Sequence, residues 1–220
     1  MIVAIDGPAG AGKSTVAKAL AKQLGFQYFD SGAVYRALTY WALELLQLDL
    51  QKGLEPLIAK LGDGNLKVYW AQNSMLVELE GKDLSEAIRD PRITGSVGAI
   101  ANNPACRSFV NRMMRDEAKK TSLVIDGRDI GSVVFPDAEH KFYLDADPAV
   151  RAERRAKELN IALDSSEFQA LLSKIIERDE NDKSRAIAPL VQAADAKYLD
   201  TTSMDMSQVV SQLALFVLNH

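Results

Sequence analysis

Gly7, Gly12, Lys13 and Ser14 fall at the spacing G-x-x-x-x-G-K-[ST], directly after the apolar run Ile2 to Ile5, and those residue types in that order suit a phosphate chain. Glycines at 7, 10 and 12 permit positive φ and turn successive backbone N–H groups inward, making an anion-binding nest at the positive end of the helix that follows. A triphosphate is the natural ligand, held by Gly7, Pro8, Ala9, Gly10, Ala11, Gly12, Lys13, Ser14 and Thr15. Lys13 would set a point charge against the β- and γ-phosphates, and the Ser14 hydroxyl would join the ligands of a Mg²⁺ that keeps several waters. The bland alternative is a glycine-rich turn with a surface lysine. A strand before the loop and a helix after it favour nucleotide binding.

Four further groups of residues carry possible chemistry. Leu123-Val124-Ile125 ends in Asp126-Gly127-Arg128-Asp129; an apolar strand ending in aspartate is where phosphate-loop proteins keep the carboxylate that reaches Mg²⁺ through water. Two acids and an arginine there make either a site or a hydrogen-bonded turn. Tyr35 and Arg36 fall in the first turn of a helix expected over residues 33–47, where residue type alone does not separate a phosphate contact from a solvated arginine. Arg151, Arg154 and Arg155 form a basic cluster that meets the triphosphate or pairs with Glu153 and Glu158 on a solvated face. If the helix through residues 165–177 persists, Arg178, Asp182 and Arg185 share one face within ~60°; otherwise Asp182 belongs to an ordinary surface ion pair worth ~0.3–0.5 kcal/mol.

These residues need a scaffold. With 220 residues, 47% of them apolar and 25% charged, the chain is long enough for one medium domain with small excursions. Ser14 to Leu24 reads as a helix closed by Gly25, Phe26 to Phe29 as a strand ending in Asp30-Ser31-Gly32, and Lys141 to Asp145 as another strand followed by a helix capped by Asp147-Pro148. Residues 62–92 break this rhythm. Leu66 to Trp70 and Met75 to Leu79, joined by Gln72-Asn73-Ser74, read as a small antiparallel insertion, either part of a substrate site or only a flap. Asn103 and Pro104 open a helix with Cys106, Phe109, Val110, Met113 and Met114 on its apolar stripe and Arg107, Arg112 and Arg115 on its flanks, where solvated charges are expected. Tyr198-Leu199-Asp200 and a helix near 207–218 complete an α/β fold: a parallel five-stranded sheet covered on both faces.

Composition excludes several classes. The net charge of −4 supplies no global basic field for nucleic acid or anionic membrane, and no apolar run approaches the ~18 residues of a membrane span. A soluble, cytoplasmic protein is expected, without nucleic-acid or membrane partners, and a monomer. Cys106 is the single cysteine, so no intrachain disulfide forms, and a small buried apolar role suits it. His140 and His220 have no partner cluster and receive no role.

The chain resembles the bacterial cytidylate kinases of the nucleoside monophosphate kinase family from Val3 to about Thr202. The resemblance rests on Asp6-Gly7-Pro8-Ala9-Gly10-Ala11-Gly12-Lys13-Ser14, on Asp30-Ser31-Gly32-Ala33-Val34-Tyr35-Arg36, on Asp126-Gly127-Arg128-Asp129-Ile130-Gly131 with Val133-Val134-Phe135-Pro136-Asp137-Ala138, and on Glu177-Arg178-Asp179 through Arg185-Ala186-Ile187-Ala188-Pro189-Leu190. It implies transfer of the γ-phosphoryl of ATP to CMP or dCMP with Mg²⁺, on a P-loop, three-layer fold with sheet order 2-3-1-4-5. The domain would span 1–220, with a monophosphate-binding insertion at about 62–92 and a helical lid at about 150–165. By position, Arg107 and Asp129 would read the cytosine edge, Ser31, Arg178 and Asp182 would hold the ribose, and Arg36, Arg128 and Arg185 would grip the acceptor phosphate, with Tyr35 in the same acceptor set. Arg151, Arg154 and Arg155 would lie in the lid over ATP, Arg151 among the ATP ligands. Lys13, Arg128, Arg185, Arg154 and Arg155 would carry catalysis, and Ser14 and, through water, Asp126 would hold the metal. One departure stands out: where the family commonly has a base-contacting serine, this chain has Gly98, with Ser96 two residues earlier.

Two other readings are compatible with parts of the sequence. A related P-loop kinase for UMP, AMP or a hydroxylated metabolite shares the first motif but does not require the Asp-Gly-Arg-Asp and Arg-Asp clusters together. A non-catalytic nucleotide switch would carry a guanine-reading Asn-Lys-x-Asp segment, and the nearest string here, Asn181-Asp182-Lys183-Ser184, lacks that order.

Overall fold

A computed structural model describes residues 1–62, 64–72 and 74–219. Asp63 in the expected insertion, Asn73 in its turn, and His220 lie outside the described residues. In chain order the main elements are β1 (Ile2–Asp6), α1 (Lys13–Leu24), β2 (Gln27–Asp30), α2 (Ser31–Tyr40), α3 (Glu55–Ile58), β3 (Leu66–Ala71), β4 (Ser74–Leu79), β5 (Lys82–Asp83), α4 (Pro91–Ala101) and α5 (Pro104–Ala118). They continue with β6 (Leu123–Gly127), β7 (His140–Asp145), α6 (Pro148–Leu159), α7 (Ser166–Lys183), β8 (Lys197–Asp200) and α8 (Met206–Asn219). Five strands form one sheet in the order β2-β6-β1-β7-β8, which is the expected 2-3-1-4-5 arrangement, and β3-β4-β5 form a separate sheet. The chain divides into two compact units, Met1–Phe26 with the chain from Leu123 onward, and Gln27–Ser122.

In the first unit β1 is buried along its whole length, as an apolar run without alternation requires of a central parallel strand. It pairs in parallel with β6, Ile5 opposite Asp126, and with β7, Ile5 opposite Phe142. That register brings Asp6 at the end of β1 level with Gly127 at the end of β6. Functional loops of both strands therefore leave the sheet at the same edge, where parallel α/β sheets bind ligands. Helix α1 buries Val16, Ala17 and Leu20, and α8 buries Val209, Val210, Leu213, Ala214 and Val217. Helices α6 and α7 pack through Ala152, Ala156, Phe168 and Ile175, with Leu171 and Leu172 at the margin. Ile176, on the same helix, is exposed.

In the second unit, Asp30 caps α2 by accepting the backbone N–H of Ala33 at 2.8 Å. The helix therefore starts at Ser31, earlier than expected, and Tyr35 and Arg36 lie in its second turn rather than its first. It also does not run on regularly to residue 47: Trp41–Leu45 is a π-helical turn. The insertion is an antiparallel hairpin with Leu66 opposite Leu79 and Val68 opposite Val77, extended by β5. Trp70 fixes it to β2, its indole N–H donating to the Tyr28 carbonyl at 2.8 Å. Among the described residues no helix is long and apolar enough to cross a membrane.

Candidate active site

The phosphate loop joins β1 to α1. Gly7, Gly10 and Gly12 have φ of 147°, 77° and 79°, the region that only glycine enters without strain. Gly7 is required for a second reason: a Cβ there would lie 1.9 Å from the Leu144 carbonyl oxygen, a backbone atom that cannot move aside. Gly12 opens α1 without a side-chain cap, leaving the dipole end of the helix for an anion. Lys13 is buried, and its Nζ donates to the Pro8 carbonyl at 2.6 Å. Burial, together with the neighbouring Arg128 charge, holds the Lys13 ammonium well below the usual lysine range, while Asp126 and Asp6 pull the other way.

Asp126 sits at the end of β6, 6% exposed. Its Oδ2 accepts the Ser14 hydroxyl at 2.7 Å, so the two residues expected at the metal meet. One hydroxyl and one carboxylate form an all-oxygen donor set, suited to a hard cation that takes its other ligands from water and phosphate. Among the described residues no group of three or more His, Cys, Asp or Glu is placed to hold a metal alone. Asp6, to which the sequence reading gave no role of its own, accepts the backbone N–H groups of Ile130 and Gly131 at 2.8 and 2.7 Å. It thereby ties the Asp126-Gly127-Arg128-Asp129 turn to the phosphate loop. Burial pushes the Asp6 carboxyl up to about 6, against the pull of those two N–H groups. After Asp129 the chain makes a second π-helical turn, Ile130–Val134.

Asp182, 2% exposed on α7, organises two of the expected phosphate-gripping arginines. Its Oδ2 accepts Arg128 Nε at 2.7 Å, and its Oδ1 accepts Arg185. The helix ends at Lys183, so Arg185 does not join Asp182 along a continuous helical face as the spacing suggested. The chain after the helix folds back, with Leu190 N–H on the Asp182 carbonyl at 2.8 Å, and that loop returns Arg185 to the carboxylate. Arg178 is exposed on α7, while Asp129 is buried.

The three arginines of α6 have three different settings. Arg151 is 2% exposed and bonded to Ala9, Ala146 and Asp179. Arg154 reaches the loop after β8, giving NH2 to the Thr201 carbonyl at 2.5 Å and NH1 to its hydroxyl at 3.2 Å. Arg155 is exposed and pairs with Glu158 at 2.6 Å, the partner that the solvated-face reading named.

The second unit holds Ser31, Tyr35, Arg36 and Arg107. Arg36 folds back along α2 so that NH2 meets Asp30 Oδ2 at 3.0 Å. Gly32 makes room, since a Cβ there would stand 3.0 Å from Arg36 NH1. Arg107 is not a solvated charge: it is 4% exposed, gives NH1 to the Ala101 carbonyl at 3.1 Å, and places its guanidinium carbon 5.8 Å from the Tyr35 ring centroid. Ser31 is buried at the start of α2. Arg112 and Arg115 are exposed, as expected. Cys106 is fully buried, and burial raises its thiol to about 11, which leaves it an inert apolar residue.

The model of the family described as Cytidylate kinase matches residues 3–218. A cytidylate kinase of Bacillus cereus (strain G9842) is 44% identical over 216 residues, covering 98% of this chain and 95% of the relative. One from Thermodesulfovibrio yellowstonii is 42% identical over 211 residues, covering 96% and 94%. Among solved structures, an uncharacterized protein from Eubacterium ventriosum superposes with a TM-score of 0.56 at 12% identity, covering 100% of this chain and 99% of that one, a likeness of fold. A phosphate loop with Ser14 on Asp126, arginines collected on Asp182, and identity above 40% over nearly the whole length agree on one assignment: the chain belongs to the cytidylate kinase family.

Proposed function

We infer that the protein transfers the γ-phosphoryl group of ATP to CMP or dCMP, giving ADP and CDP or dCDP. The observation that carries this reading is the presence of two cationic seats in one unit: a phosphate loop with Lys13 Nζ on the Pro8 carbonyl and Ser14 on Asp126, and Arg128, two residues after Asp126, gathered with Arg185 on Asp182. Such an arrangement suits two phosphate groups, one from each substrate.

Phosphoryl transfer asks the protein to bring two anions into line, neutralise their repulsion and exclude water. Lys13 and the loop N–H groups take the donor phosphates. Arg36, Arg128 and Arg185 take the acceptor phosphate, Ser31, Arg178 and Asp182 the ribose, and Arg107 with Asp129 the cytosine edge, Tyr35 lying against Arg107. Ser14 and, through water, Asp126 would hold Mg²⁺, which would supply charge neutralisation for the transferred group. The acceptor oxygen is already ionised, so no general base is required. Arg154 and Arg155 act from a lid over residues 150–165 that closes when both substrates are present, which keeps ATP from water.

The test is Arg107→Met, with its thermal midpoint measured alongside. The expected result is a KM for CMP raised about 10-fold or more with the KM for ATP changed less than about 2-fold, the pattern of a lost acceptor contact. Equal effects on both substrates remove Arg107 from the acceptor site.

A further inference from the structure

Asp179 lies on the buried face of α7, one turn before Asp182, and is 6% exposed. Its Oδ2 pairs with Arg151 NH2 at 2.6 Å, and its Oδ1 accepts the backbone N–H of Ala9 at 3.3 Å. Arg151 gives NH1 to the Ala9 carbonyl at 2.7 Å and Nε to the Ala146 carbonyl at 2.8 Å. Both backbone groups of a single phosphate-loop residue thus end on one buried ion pair, whose members come from α6 and α7. Gly10 admits this close approach, since a Cβ there would stand 3.3 Å from Arg151 Cβ.

The consequence follows from peptide geometry. In a planar trans peptide, C=O and the next N–H point in opposite directions, and no peptide in the described chain is cis. With the Ala9 N–H turned to Asp179, the Pro8 carbonyl faces the other way, where it accepts Lys13 Nζ at 2.6 Å. With the Ala9 carbonyl turned to Arg151, the Gly10 N–H also faces away from the ion pair. The pair therefore sets two successive peptide planes: one seats the phosphate-loop lysine and the other aims a loop N–H. A buried ion pair contributes little net stability compared with apolar residues of the same shape, so stability does not account for this one.

We propose that Asp179, acting through Arg151, is a positioning residue that presets the phosphate loop for its nucleotide, and that Arg151 serves as the clamp on Ala9 and not as a direct ligand of ATP. This rests on the reading of the chain as an ATP-dependent kinase. One face of α7 then serves both substrates: Asp179 orients the donor loop, and Asp182 gathers Arg128 and Arg185.

The test compares the wild type with Asp179→Asn and with the double variant Arg151→Met/Asp179→Leu. It reads thermal midpoint, affinity for Mg²⁺ with a non-hydrolysable ATP analogue, affinity for CMP, and kcat/KM for ATP. Asp179→Asn is expected to lower kcat/KM for ATP about 30-fold or more, as a misplaced loop would, with CMP affinity changed less than about 3-fold. The double variant is expected to keep or raise the thermal midpoint while showing the same loss, a split that a purely structural pair would not give. A folded double variant whose ATP-analogue affinity and kcat/KM stay within about 3-fold of wild type overturns the proposal. Should neither Asp179 variant fold, Arg151→Lys decides on the same readouts, because one ammonium cannot serve Ala9, Ala146 and Asp179 together. If the wild type fails to phosphorylate CMP, the acceptor reading falls, while analogue affinity still judges the clamp.

Discussion

Arg128 donates its Nε to Oδ2 of Asp182 at 2.7 Å, across 54 positions of sequence and with the carboxylate almost wholly buried. Burial works against ionisation of Asp182, but the charge and hydrogen bond of Arg128, followed by the charge of Arg185, outweigh it and hold the carboxyl below its usual range. Asp182→Asn keeps the shape and removes the charge that collects the two arginines. The expected outcome is a kcat/KM for CMP reduced by about 10²-fold, as two transition-state contacts lose their geometry, with affinity for an ATP analogue nearly unchanged. Steady-state kinetics with calorimetry checks this, and a loss confined to thermal stability leaves Asp182 a structural ion pair only.

Asp6 gives a pH-dependent signature. Its folded value of about 6 lies above the ordinary 3.8, so the native state binds more protons than the unfolded state between those values. The Asp6 contribution to stability therefore falls as pH rises through that window and is flat above it. Urea unfolding at pH 4 and pH 7 is expected to show the wild type losing about 2 kcal/mol more across the interval than Asp6→Asn. Identical pH dependences contradict the assigned shift.

Gly98 has a direct test. It is exposed on α4, and a Cβ there meets nothing within 4 Å. Ser96 is no ready substitute for the missing serine, because its hydroxyl donates to the Arg92 carbonyl at 2.9 Å. Gly98→Ser is expected to fold with an unchanged or higher midpoint, since serine is the better helix former, and to raise the kcat/KM ratio of CMP over UMP about 3-fold or more through one added polar contact to the base. An unchanged ratio means that position 98 does not contribute to base choice in this chain.

What the sequence revealed was chiefly local. The phosphate loop, β1 and the cap at Asp147 depend on residues a few positions apart, so spacing alone places them. The parallel sheet followed from the alternation of strands and helices, and its order only from the family resemblance. The missed features are pairings across the sheet edge: Asp6 with Ile130 and Gly131, Asp179 with Ala9, Arg154 with Thr201. No local pattern marks them, because they exist only once β1, β6, β7 and β8 are registered. Arg107 shows the opposite error. Arginine on a helix flank is usually solvated, yet the Ala101 carbonyl and the Tyr35 ring hold this one in the interior, and only its family position pointed to a site.

Whether CMP is the acceptor is read from the rate of ADP formation from ATP and Mg²⁺. CMP, dCMP, UMP, AMP, GMP and dTMP are offered separately beside a control without acceptor. The expected result is that CMP and dCMP exceed every other acceptor about 10-fold or more, a margin within reach of polar groups built to pair with one base edge, and that the control is silent because closure needs both substrates. ADP formed equally with UMP keeps the reaction but removes the cytosine reading, and ADP formed in the control at the same rate contradicts the kinase assignment itself.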